Sequence, residues 1–320
     1  MTYLITGAAG FMGSHLSDRL LAEGHRVICF DSFDNLYNPA AKWRNIAHNL
    51  DNPNFKLISG SIVDVLSLEK AFGCWGIDAV IHLAAQAGVR PSVQNPSLHS
   101  NVNVTGTVNV LEMCRQNKVA KIVFASSSSV YGNSPTPFQE DMPTNLPLCP
   151  YAATKKAGEM MCYTYHYLHG MDVACIRPFT VYGPRQRHDM AIPLFVSRIN
   201  SGAEIVINGD GLNIQRDFTY VGDVVDGIVK ILGKEHGFEI YNLGSGRKVC
   251  LTELVYAIES RLKKNAIIKY VPMGVGEATI TYADISKAKE RLGYESKYSI
   301  YEGLDKYIPW FLGDLCRTKE

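Results

Sequence analysis

The sequence has almost no net charge, because 32 lysines and arginines nearly balance 31 aspartates and glutamates among its 320 residues. Nucleic acids and anionic membrane surfaces attract strongly basic proteins, so neither is an expected partner. No run approaches the roughly 18 apolar residues of a transmembrane helix, and we expect neither a signal peptide nor an anchor. The composition remains compatible with a small anion bound at a defined site.

Cysteine pairs of the C-x-x-C type are absent, although the chain contains eight cysteines, and none has zinc-site spacing. Several cysteines lie in apolar runs such as VICF and VACI, which is typical of buried thiols. Reduced thiols are the rule in the cytosol. We therefore expect a cytoplasmic protein with no metal site.

Short apolar runs alternate with helix-length segments through the first half of the chain. The runs TYLIT, HRVICFD, FKLISG, DAVIHLA, AKIVFASS and DVACIRP are almost continuously apolar, as in parallel strands covered on both faces. Predicted helices cover residues 11–23, 65–72, 101–117 and 151–169. With right-handed crossovers, this alternation predicts an α/β fold built on a doubly wound (Rossmann) parallel sheet.

The regular alternation fades after Arg177, where glycine and proline become frequent and the elements shorten. The predicted elements there are EIVIN, GFEIYNLG and helices near 223–232 and 252–263. We expect a smaller mixed α/β substrate-binding cap, with some segments returning to the sheet. The predicted domains are residues 1–178 plus about 219–247, which carry the sheet, and about 179–218 plus 248–320, which form the cap.

A glycine-rich turn, TGAAGFMG, follows the first predicted strand and contains Gly7, Gly10 and Gly13. These glycines permit a tight turn, and the following helix N-terminus offers N–H groups to a diphosphate. The second strand ends at Asp31, whose carboxylate can accept hydrogen bonds from both adenosine ribose hydroxyls and would repel a 2′-phosphate. The pattern favours NAD over NADP; the alternative is a structural turn with an N-cap aspartate.

A tyrosine and a lysine lie four positions apart in PYAATKKAG, so Tyr151 and Lys155 share one helix face. An ammonium group close to a phenol stabilises phenolate, and we expect the Tyr151 pKa to fall from about 10 toward neutrality. Tyr151 would then serve as a general acid or base near pH 7. The fifth strand ends in FASSSSVYG, which places serines at the ligand-binding edge of the sheet. The alternatives are a surface Tyr/Lys pair and a solvated serine loop.

Seven motifs occur in one order along the chain: the glycine turn, HLAAQAGVR, NVTGTVNVLE, SSSSVYG, YAATK, RDFTYVGDV and YNLGSG. With them, from Thr2 to about Tyr307, the sequence resembles the extended short-chain dehydrogenase/reductases, and specifically their nucleotide-sugar epimerase branch. The resemblance favours a homodimer formed through the predicted helices at 101–117 and 151–169.

The resemblance also implies which residues act. Tyr151 is the expected acid/base, with Ser127 and Ser128 beside it and Lys155 holding phenolate and ribose. The expected NAD-binding residues are Gly7, Gly10, Phe11, Met12, Gly13, Asp31, Ser61, Ile62, Leu83, Ala84, Ala85, Asn103, Tyr151 and Lys155. Where this chain has Ser61, family members usually carry an aspartate that contacts the adenine. This difference concerns how tightly NAD binds and not which cofactor binds.

The family resemblance also narrows the reaction. All members begin by oxidising the sugar at C4, and Tyr151 would take the proton of the 4-hydroxyl. Dehydratases and decarboxylases then use carboxylates beside the catalytic Ser or Thr, where this chain has Ser128 and Ser129. Return of the hydride to the other face of the ketone remains, so the resemblance implies C4 epimerisation of a UDP-sugar.

Three stretches resemble those of UDP-glucuronate 4-epimerases: residues 31–42, 179–191 and 271–294. By that resemblance Arg187 holds the substrate carboxylate, and Thr180 stands where UDP-glucose epimerases usually carry asparagine. At the position of Gly274, UDP-glucose epimerases carry an arginine for the diphosphate, and the glucuronate branch usually carries glutamine. This chain matches neither, so Arg216 becomes the main candidate for binding the diphosphate. The expected substrate-binding residues are Ser127, Thr180, Arg187, Arg216, Gln86 and Arg90.

Other interpretations stay open beside UDP-glucuronate epimerisation. They are a UDP-glucose or UDP-N-acetylglucosamine 4-epimerase, a dehydrogenase that releases NADH, and a non-catalytic NAD-binding regulator of the same fold. Near the predicted carboxylate site, Arg185 is expected to be structural or solvent-facing, and His188 and Asp189 to stabilise their loop. Tyr131 and Tyr182 are expected to pack in the interior.

Overall fold

The computed structural model describes residues 1–272 and 278–317 as alternating strands and helices. The strands are β1 Thr2–Thr6, β2 Arg26–Asp31, β3 Phe55–Ser59, β4 Ala79–His82, β5 Lys121–Ala125, β6 Asp172–Pro178, β7 Thr180–Tyr182, β8 Glu204–Asn208, β9 Gln215–Arg216, β10 Phe218–Tyr220, β11 Phe238–Leu243, β12 Val249–Cys250, β13 Ile267–Val271 and β14 Ile280–Thr281. The α-helices are α1 Phe11–Ala22, α2 Pro39–Ile46, α3 Val65–Phe72, α4 Val89–Gln94, α5 Pro96–Ser100, α6 Gly106–Gln116, α7 Pro150–His169, α8 Ala191–Ser201, α9 Val221–Leu232, α10 Leu251–Leu262, α11 Ser286–Leu292 and α12 Ile300–Arg317.

Seven strands form the central sheet in the order β11-β6-β5-β4-β1-β2-β3, and every neighbouring pair is parallel. The chain order reverses between β1 and β4, and this reversal opens a crevice at the carboxyl ends of those strands. The architecture confirms the predicted doubly wound α/β sheet.

Both faces of this sheet are covered by apolar side chains. Along β1, Leu4 packs among the apolar side chains on one face of the sheet and Ile5 among those on the other, because successive strand residues point to opposite faces. Helices α1 and α9 cover the Ile5 side, and α3, α6 and α7 cover the Leu4 side. This two-sided burial is the physical reason why the strands appear in the sequence as continuous apolar runs.

A second hydrophobic core is built from α8, α10 and α12 together with residues of the short strands β7, β8, β10, β12 and β13. Phe195, Leu254, Ile258 and Phe311 are among its buried residues. It occupies the region where the sequence predicts a smaller mixed α/β cap. Helix α11 departs locally from the predicted division, because it packs on α9 and β11 and contributes to the first core.

Candidate active site

A cleft of about 1200 Å³ opens at the carboxyl ends of the central strands and extends to the second core. Most of the predicted site residues line it: Gly7, Gly10, Phe11, Met12, Gly13, Asp31, Ser61, Ile62, Leu83, Ala84, Ala85, Gln86, Arg90, Ser127, Ser128, Tyr151, Thr180, Arg187 and Arg216. Asn103 and Lys155 lie behind the lining. One cavity therefore brings together segments that are far apart in the sequence.

The glycine turn forms the floor of one end of the cleft. Gly7 has a φ of 72°, and a Cβ there would lie 2.8 Å from the Ala84 backbone nitrogen. A Cβ at Gly13 would overlap the Gly7 carbonyl oxygen and lie 2.6 Å from Ala8 Cα. These approaches bring the N-terminus of α1 against β1 and β4, and its first backbone N–H groups have no acceptor within the helix. The arrangement suits a diphosphate.

Asp31 lies at the end of β2 and is almost fully buried. Its carboxylate accepts hydrogen bonds from the backbone N–H of Ala9 at 3.1 Å and of Phe33 at 2.9 Å. Lys42 donates to it at 3.4 Å and to Asp34 at 2.7 Å. Sequence reasoning named the stretch 31–42 and missed the roles of Lys42 and Asp34, because their pairing depends on how α2 folds back.

Asn103 supports the wall of the cleft from behind. Its amide accepts a hydrogen bond from the Gln86 N–H at 2.8 Å and donates to the Gln86 carbonyl at 3.0 Å. It also donates to the Thr154 hydroxyl at 3.0 Å. The Gln86 side chain in turn donates to Asp34 at 2.6 Å. These bonds fix the loop after β4 between α7 and the Asp34 carboxylate.

Tyr151 lies in the first turn of α7, facing the serine run that follows β5. Its hydroxyl hydrogen-bonds Ser127, and Ser127 Oγ accepts hydrogen bonds from the Ser129 N–H at 3.2 Å and the Ser129 hydroxyl at 2.9 Å. Lys155, one turn further along α7, is only 3% exposed and donates to the Ala125 carbonyl at 2.6 Å. The predicted serine, tyrosine and lysine are therefore neighbours.

The predicted lowering of the Tyr151 pKa is wrong for the protein alone. Burial raises the pKa of Tyr151 above its ordinary value, and the opposing effects of the Ser127 hydrogen bond and the Arg187 charge are smaller. Burial also lowers the pKa of Lys155 to about 8. Lys155 is held by a carbonyl and not by the phenol, so desolvation outweighs the charge effect that the sequence suggests.

A buried ion pair lies directly beneath the serine run. Glu159 on α7 accepts hydrogen bonds from Arg177 on β6 at 2.8 and 2.9 Å, and from the Ser126 hydroxyl at 2.7 Å. The two charged side chains are 2% and 1% exposed. Burial would raise the pKa of Glu159, but the hydrogen bonds and charge of Arg177 outweigh it and hold the pKa low. The pair ties α7 to the end of β5 and to β6.

Arg187 and Thr180 also line the cleft. Thr180 begins β7, and its N–H donates to the Asp217 carbonyl at 3.0 Å. Arg187 donates to both carboxylate oxygens of Asp189, at 3.0 and 2.8 Å, and to the Ala87 carbonyl at 3.3 Å. Asp189 therefore stabilises its loop by pairing with Arg187, the cation predicted to bind the substrate carboxylate.

The neighbouring predictions for packing and loop residues agree with the structure. Arg185 adopts a φ of 67° and pairs with Asp18 on α1 at 2.7 Å, so it is structural. Tyr131 and Tyr182 are buried, and the Tyr131 ring stacks on Phe138.

Arg216 projects from β9 at the cap side of the cleft, where its guanidinium donates to the Thr279 carbonyl at 2.8 Å. The next residue, Asp217, is fully buried and accepts hydrogen bonds from the Thr219 and Ser245 hydroxyls and from the N–H groups of Ser245, Gly246 and Ala283. These bonds fix the strand that carries Arg216. Gly274, compared above with an arginine, lies outside the described residues.

Across residues 1–272 and 278–317, no helix is long and apolar enough to cross a membrane. The same residues contain no group of three or more histidine, cysteine or acidic side chains placed to hold a metal ion.

Comparison with known proteins identifies the family of this chain. The GDP-mannose 4,6-dehydratase family model matches residues 4–307. A UDP-glucuronate 4-epimerase of Thermodesulfobacterium geofontis is 41% identical over 309 residues, which cover 96% of this chain and 95% of that protein. UDP-glucuronate 4-epimerase 5 of Arabidopsis thaliana is 40% identical over 338 residues, covering 100% and 77% of the two chains.

A crystal structure of UDP-glucuronic acid 4-epimerase from Bacillus cereus, in complex with UDP-glucuronic acid and NAD, superimposes with a TM-score of 0.91. The two chains are 34% identical, and the alignment covers 98% of this chain and 99% of the other. The resemblance read from the motifs is confirmed. This chain belongs to the family of the GDP-mannose 4,6-dehydratase model, among the extended short-chain dehydrogenase/reductases.

Proposed function

We propose that this protein is an isomerase that interconverts UDP-glucuronate and UDP-galacturonate by NAD-dependent epimerisation at C4. One observation carries the proposal: a single cleft is lined by Tyr151 and Ser127, by a dinucleotide-type glycine turn, and by Arg187 and Thr180. The relatives that carry the UDP-glucuronate 4-epimerase name, and the Bacillus cereus complex, support the choice of substrate.

The residues at the glycine turn fit NAD. Gly7 and Gly13 lie where any Cβ would meet backbone, and they bring the α1 N-terminus into the cleft, where it would hold the diphosphate. Asp31 would accept the adenosine ribose hydroxyls. Ser61 and Ile62 would lie against the adenine. NAD bound there supplies the chemistry of accepting a hydride from C4 and giving it back.

Tyr151 is the proposed acid/base. As phenolate, its oxygen would take the proton of the sugar 4-hydroxyl during oxidation and return it during reduction. Ser127, hydrogen-bonded to Tyr151, would share the hydroxyl hydrogen and orient the sugar. Ser128 lies beside it in the lining, and Lys155, anchored on the Ala125 carbonyl, supplies positive charge behind the phenol.

The acids in the cleft favour epimerisation over elimination. Among the described residues, the carboxylates that line the cleft are Asp31, Asp34 and Asp189. The first two lie at the glycine-turn end, and the third is paired with Arg187. Since none adjoins Ser127 in the way a dehydratase base would, the 4-keto sugar has hydride return as its route onward.

The substrate would lie across the remaining length of the cleft. Arg216 would hold the diphosphate, and Gln86 and Arg90 would border the sugar from the loop after β4. Arg187 and Thr180 would hold the sugar carboxylate, because a guanidinium fork matches a carboxylate with fixed geometry. We further propose the domain division predicted above, supported by the separate second core, with α11 as a local exception.

Product analysis after incubation with UDP-glucuronate alone tests this function. UDP-galacturonate should form without net release of NADH, and UDP-galactose and UDP-N-acetylglucosamine should turn over more slowly. Net NADH would instead indicate a dehydrogenase. Faster turnover of a neutral sugar would indicate the alternative epimerase, and no turnover of any of the three would favour a non-catalytic regulator.

Replacing Arg187 or Thr180 by alanine should allow carbon dioxide to leave the oxidised sugar. The 4-keto uronate is a β-keto acid, which decarboxylates when its carboxylate bond stands perpendicular to the ketone plane. We expect Arg187→Ala to lower kcat/KM for UDP-glucuronate by about 10- to 100-fold, as for loss of a charged hydrogen-bonding partner. A UDP-pentose should accumulate, measured by chromatography. Unchanged turnover without pentose in both variants would contradict the assignment.

We also propose a homodimer formed through α7 and its neighbours. Met160, Tyr163 and Tyr167 lie exposed on one face of α7, at helical spacing. Replacing Tyr163 and Tyr167 together by glutamate should convert dimer to monomer, because charges at the centre of an apolar interface are unfavourable. Sedimentation velocity checks this, with the equally exposed Tyr256→Glu on α10 as control. A wild-type monomer would refute the dimer.

A cytoplasmic location is proposed on the state of the cysteines. The seven cysteines from Cys29 to Cys250 are free thiols, and five of them are buried. Reduced thiols are typical of that compartment. Fractionation of source cells should recover the protein with the cytosol and not with membranes or the secreted fraction.

A further inference from the structure

Arg187 meets the cleft with a carboxylate already bound to it. Its Nε and Nη2 donate to the two oxygens of Asp189 at 3.0 and 2.8 Å, which is the forked geometry of an arginine–carboxylate pair. The third nitrogen, Nη1, donates to the Ala87 carbonyl at 3.3 Å. The site proposed to hold the sugar carboxylate is therefore occupied by one from the protein's own chain.

The two partners differ in how freely they can move. The Arg187 side chain is 13% exposed and lies against the turn at Ala87 and Gly88, whereas the Asp189 side chain is 59% exposed. The cation is thus fixed by its surroundings, and the anion can swing into solvent at little cost. An incoming carboxylate would displace Asp189 more easily than it would move Arg187.

The other lining acids cannot take the place of Asp189. Asp31 accepts hydrogen bonds from backbone N–H groups and from Lys42, and Asp34 accepts them from Lys42 and the Gln86 amide. Both are therefore held by groups other than Arg187. Asp189 is the lining acid whose hydrogen bonds among the described residues go to the proposed substrate-carboxylate cation.

We propose that Asp189 is a specificity-determining residue that holds the place of the sugar carboxylate until substrate displaces it. This inference rests on the proposed function. A uronate exchanges one carboxylate for another on Arg187, so this largely buried cation remains neutralised with and without substrate. A neutral hexose offers no such exchange and leaves the Arg187–Asp189 pair closed. Asp189 therefore competes with uronates and is indifferent to neutral sugars.

Binding measurements on NAD-loaded protein test the competition. Tyr151→Phe serves as the background, so that turnover does not obscure the dissociation constants of UDP-glucuronate and UDP-glucose, measured by calorimetry. Adding Asp189→Asn or Asp189→Ser should tighten UDP-glucuronate binding about two- to fivefold, the range of a partly exposed ion pair, and leave UDP-glucose unchanged. Asp305→Asn is the matched control, since Asp305 is 58% exposed and pairs with Arg261 at 2.7 Å.

Arg187→Ala in the Tyr151→Phe background separates the competition by Asp189 from the assignment of Arg187 as the carboxylate site. If it abolishes the preference for UDP-glucuronate while both Asp189 variants bind this ligand as before or more weakly, the competition is refuted and the carboxylate site stands. If Arg187→Ala leaves the affinity for UDP-glucuronate unchanged, both are refuted. Tighter binding of UDP-glucose in the Asp189 variants would also overturn the inference, because the effect would then be general.

Discussion

Replacing Tyr151 by phenylalanine should lower kcat for UDP-glucuronate by about 10²- to 10⁴-fold, the usual contribution of a general acid–base group. The change removes only the oxygen that hydrogen-bonds Ser127, so the ring still fills its place at the start of α7. KM should change little, because the lost group acts on the reacting proton. Initial rates of UDP-galacturonate formation give both constants.

The matched control for this change is Tyr256→Phe, since Tyr256 lies exposed on α10 and outside the cleft lining. It should retain wild-type kcat. A Tyr151→Phe enzyme within threefold of wild type would show that another group carries the proton, and the acid/base assignment would have to move along the cleft. A lowered kcat with equal loss in the control would point to a general effect of removing a phenol.

Replacing Glu159 by alanine should lower the free energy of unfolding by about 3–5 kcal/mol, the cost of leaving a buried charge without its partner. Arg177 would lose both carboxylate oxygens while remaining 1% exposed, and the Ser126 hydroxyl would lose its acceptor. Because the Glu159 pKa is held low, the stabilisation should be present at neutral pH and lost as pH falls through that lowered pKa. Urea titrations at several pH values measure both effects.

Glu112→Ala is the matched control, because Glu112 pairs with Arg115 on the surface of α6 with both side chains largely exposed. It should cost at most about 1 kcal/mol. Replacing both buried partners, Glu159→Leu with Arg177→Met, should recover much of the lost stability. A loss for Glu159→Ala no larger than for Glu112→Ala would show that Arg177 finds other partners.

The sequence predicted the central sheet well because each strand is covered on both faces and is therefore a continuous apolar run. Helix α12 was not predicted, since Pro309 interrupts its pattern. Helix α2 carried a start signal that could have been used: Asn38 caps it and Pro39 occupies its first turn.

The sequence patterns named residues that line one cleft, but they predicted the electrostatics of that cleft less well. Glycine spacing and the Tyr151–Lys155 pair are local patterns, and local patterns survive in sequence. The burial of Tyr151 depends on segments far apart in the sequence, so the pKa of Tyr151 was expected to move in the wrong direction. The Arg187–Asp189 ion pair could likewise not be predicted from the sequence, because the side chains of two residues on one loop can point toward each other or apart.

Helix α7 has a consequence for how the protein tolerates mutation. This single helix of 20 residues carries Tyr151 and Lys155 at its start, Glu159 in its middle and Tyr167 near its end. At about 1.5 Å per residue, roughly 24 Å separates the first tyrosine from the last. With the dimer proposed above, changes along α7 should therefore impair turnover at its start, folding in its middle and assembly near its end. A family diverging in this way can alter its subunit contacts while its chemistry stays fixed.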